Sequence, residues 1–399
     1  MIQHDSVGDQ FFVPLGLDSD GNVRPTGLFS LEGELEHGIV QFSGITGRKM
    51  VVVSSPPCRD EIQTSKHLVF LYDGADTKVN ELVDIYGIFQ GKFELDAEYP
   101  HNLPTIHALQ MVPRRIPSSW DASATRDASV TKDACLKFFT SCGFDSSGSE
   151  KLLLALMSRI SSRSPGLLTS LLIGHYPLNI RLQHDAKYEG LVEFLTELVP
   201  YSKLIKLSPQ ELETGEFASK MNYESGVLEQ GVLQIPSGTL VIIDERALVP
   251  GKLTERASKN MQALIDMIMH QTVQYDFGGQ PISVHTNVPI ISLSHGKSIL
   301  PIEDFIVATN FIKLDPTDAP AAFAGYIQYC RAIDVDITEE TAREIEEFYV
   351  DQRKAGNGDA ADPNHLSRVL NISRLISASC GCNQMSMEHF KRALILAKI

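Results

Sequence analysis

Thr239-Leu240-Val241-Ile242-Ile243-Asp244-Glu245 is the stretch on which the fold turns. Its apolar run is rich in β-branched side chains and shows no polar alternation, the pattern of a strand buried on both faces, as in a parallel sheet covered by helices. The run ends abruptly in two adjacent carboxylates. Carboxylates at the C-terminal end of a parallel strand stand where a Walker B pair holds Mg²⁺ and polarises water. A helix-capping or solvated acidic pair gives the same letters, so the dyad alone does not fix the chemistry.

Working outward, strands and helices alternate. Upstream, the pattern predicts a helix capped by Ser149 with Leu153, Leu156, Met157 and Ile160 on one face, a strand over 168–173, a helix over 191–199 and a strand over 203–207. Downstream come a helix over 255–271, a hairpin closed by Tyr275-Asp276-Phe277, and a strand over 288–293. This order predicts a doubly wound sheet with helices on each side. The C-terminal part is helical: Asp336 with Glu339 makes a capping-box start for a helix burying Ile345, Phe348 and Tyr349. Pro363 takes the first position of the next helix, lined by Leu366, Val369, Leu370 and Leu375, and Ser386 opens a third with Phe390, Ala393 and Leu394.

The N-terminal part has a different period. Residues 38–53 and 67–93 read as strands, with Met50-Val51-Val52-Val53 and Leu68-Val69-Phe70-Leu71-Tyr72 as their clearest runs. Gly87, inside Ile85-Tyr86-Gly87-Ile88-Phe89, marks a bulge or a barrel corner. An OB-like barrel fits this pattern. Residues 113–130, rich in Pro, Ser, Asp and Ala and holding the sole tryptophan Trp120, read as a linker. The expected division is therefore a β-rich OB-like domain over 1–112, a linker and helical connection over 113–148, a doubly wound α/β domain over 149–330 and a helical lid over 331–399.

Composition narrows the function. The chain has 399 residues, 43% of them hydrophobic and 21% charged, which is ordinary for a folded protein with more than one domain. Thirty-five basic residues against 50 acidic ones leave a formal charge of -15, the wrong sign for wrapping a phosphate backbone. Six dispersed cysteines fit a reducing compartment. Cys380-Gly-Cys382 lacks the second pair that a structural metal site needs, so no metal is expected. No stretch reaches the length of a membrane span, and residues 1–12 carry no secretory pattern; a soluble, intracellular protein is expected.

The motifs of turnover are missing. A phosphate loop needs G-x-x-x-x-G-K-[ST], and the only Gly-Lys-Ser, Gly296-Lys297-Ser298, lies after the acidic strand instead of before it. Where the loop is expected, the chain reads Gly174-His175-Tyr176-Pro177, with no lysine and with a proline replacing a donor N–H. Neither H-E-x-x-H nor G-x-S-x-G occurs, and His67, His107 and His285 read as satisfied polar groups. No catalytic residue and no cofactor is expected.

Two resemblances build on these residues. Residues 337–354, then Leu366-Ser-Arg-Val-Leu-Asn-Ile-Ser-Arg-Leu-Ile-Ser-Ala-Ser and Phe390-Lys-Arg-Ala-Leu, resemble the lid of the mini-chromosome maintenance (MCM) helicase subunits. Leu300-Pro301-Ile302-Glu303-Asp304-Phe305-Ile306-Val307 resembles the helicase segment ending in its arginine finger, with Val307 at the finger position. The second resemblance covers nearly the whole chain. Lys78-Val-Asn-Glu-Leu-Val-Asp-Ile-Tyr-Gly-Ile, Leu103-Pro-Thr-Ile-His-Ala-Leu, Gly231 through Glu245, Val273-Gln-Tyr-Asp-Phe and Ser294-His-Gly-Lys-Ser-Ile-Leu-Pro are similar, in order, to the MCM complex-binding protein family. That family carries further N-terminal residues and a longer acidic insertion, so Met1 is expected to be an internal or truncated start.

The resemblance implies a nuclear, non-catalytic partner of MCM helicase subunits that takes the place of a regular ring subunit. It implies roles in stabilising new subunits, in unloading MCM complexes from chromatin and in sister-chromatid cohesion. On this reading the α/β domain over 149–330 is a degenerate AAA+-like domain, Asp244 and Glu245 are a vestigial Walker B, and Gly174, His175, Tyr176 and Pro177 a degenerate phosphate loop. Chromatin contact is then indirect, with neither membrane nor strong direct nucleic-acid binding. Two other classes compete. One is a divergent ATPase using Asp244 and Glu245. The other is an OB-type single-strand reader using Lys66, Tyr72, Lys78, Tyr86, Phe89, Lys92 and Phe93, against which Tyr86 and Phe89 are expected in the core.

Overall fold

The computed structural model describes residues 1–12, 15–25, 39–42, 46–56, 65–72, 76–92, 103–114, 128–164, 171–183, 188, 190–224, 227–249, 251–308, 311–312, 319–354 and 363–398. The protein is mixed α/β. Trp120, Phe93 and most of the expected linker lie outside the described residues.

The N-terminal strands are β1 (Ile2–Phe12), β2 (Leu15–Asp18), β3 (Val23–Pro25), β4 (Ile39–Phe42), β5 (Thr46–Ser54), β6 (Lys66–Tyr72), β7 (Val83–Lys92) and β8 (Pro104–Pro113). Five of them form one sheet in the order β1-β5-β6-β8-β7, and β2, β3 and β4 form a second. All pairs in the larger sheet are antiparallel except β6 with β8. Val51, Val53, Val69 and Leu71 fill one side of it and Met50, Val52, Leu68 and Phe70 the other, so the β-branched runs are buried on both faces. The β7–β8 register shifts between Tyr86 and Gly87, and a Cβ on Gly87 would strike the His107 carbonyl oxygen. Glycine is required there by close approach of two backbones. Tyr86 and Phe89 are not core. They are 62% and 63% exposed, because β7 is an edge strand; the Phe89 ring meets His67 edge-on, 6.3 Å between centroids, and still stands mostly in water.

Helices α1 (Ala128–Ser141) and α2 (Ser146–Met157) follow. Asp145 caps α2, its carboxylate accepting from the Gly148 N–H at 3.0 Å; Ser149 sits a turn further in, fully buried. Residues 171–173 form β10 (Leu171–Ile173), paired in a two-stranded ribbon with β9 (Ser162–Ser164) and outside the main sheet. The first strand of the main sheet in chain order is β11 (Leu178–Leu182). After it come α3 (Leu191–Glu197), β12 (Ser202–Lys206), α4 (Pro209–Thr214), β13 (Ser219–Asn222), β14 (Val227–Glu229) and β15 (Leu240–Asp244). Helix α5 (Glu255–His270) leads to the hairpin β16 (Thr272–Asp276) and β17 (Pro281–His285), then to β18 (Ile290–Ser294) and β19 (Phe305–Ala308). The main sheet is wholly parallel, in the order β12-β15-β18-β11-β19. A further four-stranded sheet pairs the hairpin with β13 and β14.

The chain ends in α6 (Ala319–Ala332), α7 (Glu339–Lys354), α8 (Pro363–Ser379) and α9 (Met387–Lys398). The cap of α7 is Thr338, whose Oγ1 accepts from the Thr341 N–H at 3.2 Å, while Asp336 bridges to Gln384 through its backbone. Leu153, Ile180, Ile242 and Leu293 share one core with Ile345, Tyr349, Val369, Ile372 and Phe390, so the terminal helices are packed into the α/β body. Val241, Ile243 and Ile290 face a second core, with Leu264, Met267 and Ile268 of α5.

Candidate functional site

The C-terminal edge of the parallel sheet is where an open α/β fold places its ligands. Asp244 ends β15 there. A turn brings Arg246 back over it, and its guanidinium forks onto the carboxylate at 2.8 and 2.7 Å while its N–H donates at 3.1 Å. Burial pushes the Asp244 carboxyl up, but the Arg246 fork, aided by Lys206, more than reverses this and holds it below the usual carboxylate range. Glu245 is 6% exposed and accepts from the Ser298 hydroxyl at 2.6 Å and the Ile299 N–H at 3.0 Å. Burial nonetheless raises its carboxyl above the ordinary value, with the neighbouring Asp244 charge adding to the effect. Both carboxylates are thus engaged by their own chain, and Gly296-Lys297-Ser298 supplies a clamp on Glu245. Among the described residues no three His, Cys, Asp or Glu side chains converge as a metal site requires.

Gly174, His175, Tyr176 and Pro177 lead into β11 and so lie at the opposite edge of the sheet. They serve there as a structural splice. The Gly174 N–H donates to Asn371 Oδ1 at 3.0 Å, the Tyr176 N–H to Ser158 Oγ at 2.9 Å, and His175 Nε2 bonds the Ile268 carbonyl at 2.7 Å. Gly174 takes a left-handed φ of 91° with its Cβ position blocked by the Arg159 carbonyl; its backbone ties the end of α2 to α8, and the His175 side chain adds α5. Burial lowers His175 to about 4. The segment that leaves β11 for α3 spans residues 183–190, of which Gln183, Tyr188 and Gly190 are described. Gly190 is the N-cap of α3, with no side-chain cap. The sequence reads residues 168–173 as the first strand of the α/β sheet, whereas 171–173 form the separate ribbon with β9 and Gly174–Pro177 precede the sheet's first strand in chain order. Val307 lies inside β19, opposite Arg181 of β11.

Between the β18–β19 connection and α8 runs a cavity of about 930 Å³. Arg181 stacks its guanidinium 3.4 Å over the Phe305 ring on its wall. Asp304, also on the wall, accepts a fork from Arg368 at 2.9 and 2.6 Å and lies 3.8 Å from Lys151. Composition and period gave no sign of this buried network or of the Arg246 fork. A local signal existed only for the second, in the Asp-Glu-Arg spacing of 244–246. On the N-terminal sheet, Tyr86, Ile88, Phe89 and Leu109 make an exposed apolar group on the β7–β8 edge, Leu109 being 76% exposed.

Residues 53–398 match the sequence profile of a family described as mini-chromosome maintenance replisome factor. Among individual relatives, the UPF0616 protein of Schizosaccharomyces pombe is 27% identical over 376 residues, 92% of this chain and 72% of the relative. The mini-chromosome maintenance complex-binding protein of Drosophila melanogaster is 27% identical over 422 residues, 92% of this chain and 68% of its own length. That of Arabidopsis thaliana is 27% identical over 278 residues, covering 67% of this chain and 46% of the plant protein, so the chain spans less than half of that relative.

Proposed function

The chain belongs to the mini-chromosome maintenance replisome factor family, and we propose that it binds MCM helicase subunits in DNA replication and acts by docking, without turnover. The family match across 53–398, with relatives named as MCM complex-binding proteins, carries this reading. The sheet edge supports the second half of it: Asp244 is neutralised by Arg246 and Glu245 is clamped by Ser298 and Ile299, so neither carboxylate is free for a metal or a water. The parallel order β12-β15-β18-β11-β19 supports a degenerate AAA+-like body, and β1-β5-β6-β8-β7 with its single parallel pair supports an OB-like N-terminal domain. On this reading the body keeps a ring subunit's shape and presents a ring subunit's contacts. The exposed apolar edge of Tyr86, Ile88, Phe89 and Leu109 is where we place part of the contact, since apolar side chains held in water gain most by being covered. Stabilising new subunits, unloading MCM complexes, a link to cohesion and nuclear residence are the finer roles we attach to this partner.

The test is co-purification of the full chain with MCM subunits, together with calorimetry against Mg-ATP. Enrichment of MCM subunits without nucleotide binding is expected; no enrichment overturns the reading, and micromolar ATP binding lost in Asp244→Ala revives an ATPase. One observation favours a second reading. The exposure of Tyr86 and Phe89 gives a single-strand reader two stacking rings. Salt-dependent binding of an oligonucleotide to the isolated chain is its signature, and the charge of -15 argues against it.

A further inference from the structure

Three arginines from distant parts of the chain line one small cavity: Arg159 after α2, Arg331 near the end of α6 and Arg374 in α8. Arg331 is 7% exposed. Its Nη2 donates to the Gly238 carbonyl at 3.1 Å, and its Nη1 is buried with no hydrogen-bond partner. Arg159 pairs with Asp334, whose carboxylate is 73% exposed and so belongs mostly to water. Arg374 is half-buried, and the nearest acidic charge acting on it is Asp336. Among the described residues no carboxylate forms an ion pair with Arg331 or Arg374. The remaining wall includes Met157, Ile333 and Leu375.

A guanidinium buried in apolar surroundings beside a second one is costly unless an anion balances it. Burial and the Arg159 charge together push Arg331 down to about 10, which leaves it cationic at neutral pH. The group with most to gain from a ligand is therefore the one most deeply set. Guanidinium forks match oxyanions in geometry as well as charge, and a low-dielectric wall strengthens the attraction.

We propose that Arg159, Arg331 and Arg374 form a binding site for a phosphate-class oxyanion, either inorganic phosphate or the phosphate of a phosphorylated side chain. The size of the cavity fits that class: it holds about 30 Å³, room for two or three water-sized centres at about 10–15 Å³ each. A phosphate headgroup fits and a nucleoside does not. Gly174, on the same wall, precedes β11, so the site is at the edge of the sheet opposite the Asp244–Glu245 dyad. It does not depend on whether the protein binds MCM subunits.

The test is calorimetric titration of the full chain with inorganic phosphate and, separately, with N-acetyl-phosphoserine amide, at constant ionic strength in chloride. Binding of phosphate is expected, weakened at least about tenfold by Arg374→Gln and partly kept by Arg374→Lys. Arg331→Gln is expected to abolish it; because that change also loses the bond to Gly238, Arg159→Gln serves as the third variant should it fail to fold. Binding of both probes assigns the site to a phosphorylated side chain, and binding of inorganic phosphate alone assigns it to the free ion. No heat above chloride, binding indifferent to Arg374→Gln and Arg159→Gln, or acetate binding as tightly as phosphate each overturns the proposal.

Discussion

Substitutions at Glu245 separate a structural carboxylate from a working one. The side chain holds two neighbours, the Ser298 hydroxyl at 2.6 Å and the Ile299 N–H at 3.0 Å, and Ser298 Oγ in turn accepts from the Leu300 N–H at 3.0 Å. Glu245→Ala leaves two donors facing a void, and each orphaned buried group costs about 1–3 kcal/mol, so a loss of about 2–6 kcal/mol is expected. Glu245→Gln keeps a carbonyl for Ile299 and offers an amide N–H to Ser298. Both bonds then persist in neutral form, and because burial disfavours the charged carboxylate the removal of that charge offsets part of the weakening. Its net cost is expected under about 1 kcal/mol. The two variants therefore differ in stability, with Ala far the worse. A carboxylate that polarises an attacking water shows the reverse: Gln and Ala both abolish hydrolysis, and the stability of Gln is beside the point. Urea unfolding followed by circular dichroism, alongside phosphate release from ATP, reads both quantities. Wild-type protein that hydrolyses ATP and a Glu245→Gln variant that folds equally well but does not would refute the reasoning.

Asp304→Asn leaves Lys151, with a side chain 3% exposed, and Arg368 without their shared carboxylate; a loss of about 3–5 kcal/mol is expected in the same urea assay, and a change below about 1 kcal/mol counts against a buried ion network. His175 gives a pH dependence: its folded pKa of about 4 lies below the unfolded 6.5, so the neutral ring stabilises the fold above 6.5 and that contribution is lost as pH falls towards 4. The window is worth at most about 3 kcal/mol, and His175→Gln is expected to flatten the unfolding midpoint between those pH values; an identical slope in the variant removes His175 as the cause. Ile88→Ser combined with Leu109→Ser, both on the exposed edge, is expected to reduce co-purification with MCM subunits while leaving the thermal midpoint unchanged; undiminished recovery would move the contact elsewhere.

What the sequence made legible was the part governed by local pattern. Thr239 through Ile243 announced a doubly buried strand, and β15 runs from Leu240 to Asp244 in the middle of a parallel sheet. Gly87 announced a bulge, because only a glycine survives inside such a run. The failures came where tertiary context decides. Leu178-Asn-Ile-Arg-Leu was hidden by Asn179 and Arg181, whose polarity breaks the apolar run; Asn179 in fact bonds Ser292 and Ser294 at 2.7 and 3.0 Å, and Arg181 lies on Phe305. Missing that strand made residues 168–173 stand for the first strand of the sheet, although 171–173 form a separate two-stranded ribbon with β9. Tyr86 and Phe89 show the opposite error, since apolar letters say nothing about whether an edge strand finds a cover. Capping went to Asp145 and Thr338 instead of Ser149 and Asp336 because several capping residues stood close together, and geometry chose among them.

The buried ion pairs explain how the terminal helices are held to the α/β body. Glu150 and Lys151 are neighbours on α2, rotated from each other by about 100°, so each reaches a different terminal helix. Glu150 takes Arg392 of α9 at 2.9 and 2.5 Å, with Lys132 at 3.4 Å; Lys151 joins Asp304, which takes Arg368 of α8. In a nucleotide-driven machine a lid must open and close. Lifting α8 here would take the Arg368 fork from Asp304 and leave it Lys151 at 3.8 Å, and lifting α9 would take Arg392 from Glu150 and leave it Lys132 at 3.4 Å, each carboxylate having a side chain no more than 6% exposed. Arg392 is partly solvated, so its pair contributes less; the Asp304 cluster alone sets an opening cost of about 3–5 kcal/mol, a population of roughly one part in a hundred to one in several thousand. Hydrophobic contacts of Val369, Ile372 and Phe390 with the sheet core add to that. A body so clamped presents one fixed surface, and a fixed surface loses little entropy when a partner docks. These contacts therefore favour the docking role proposed for the chain.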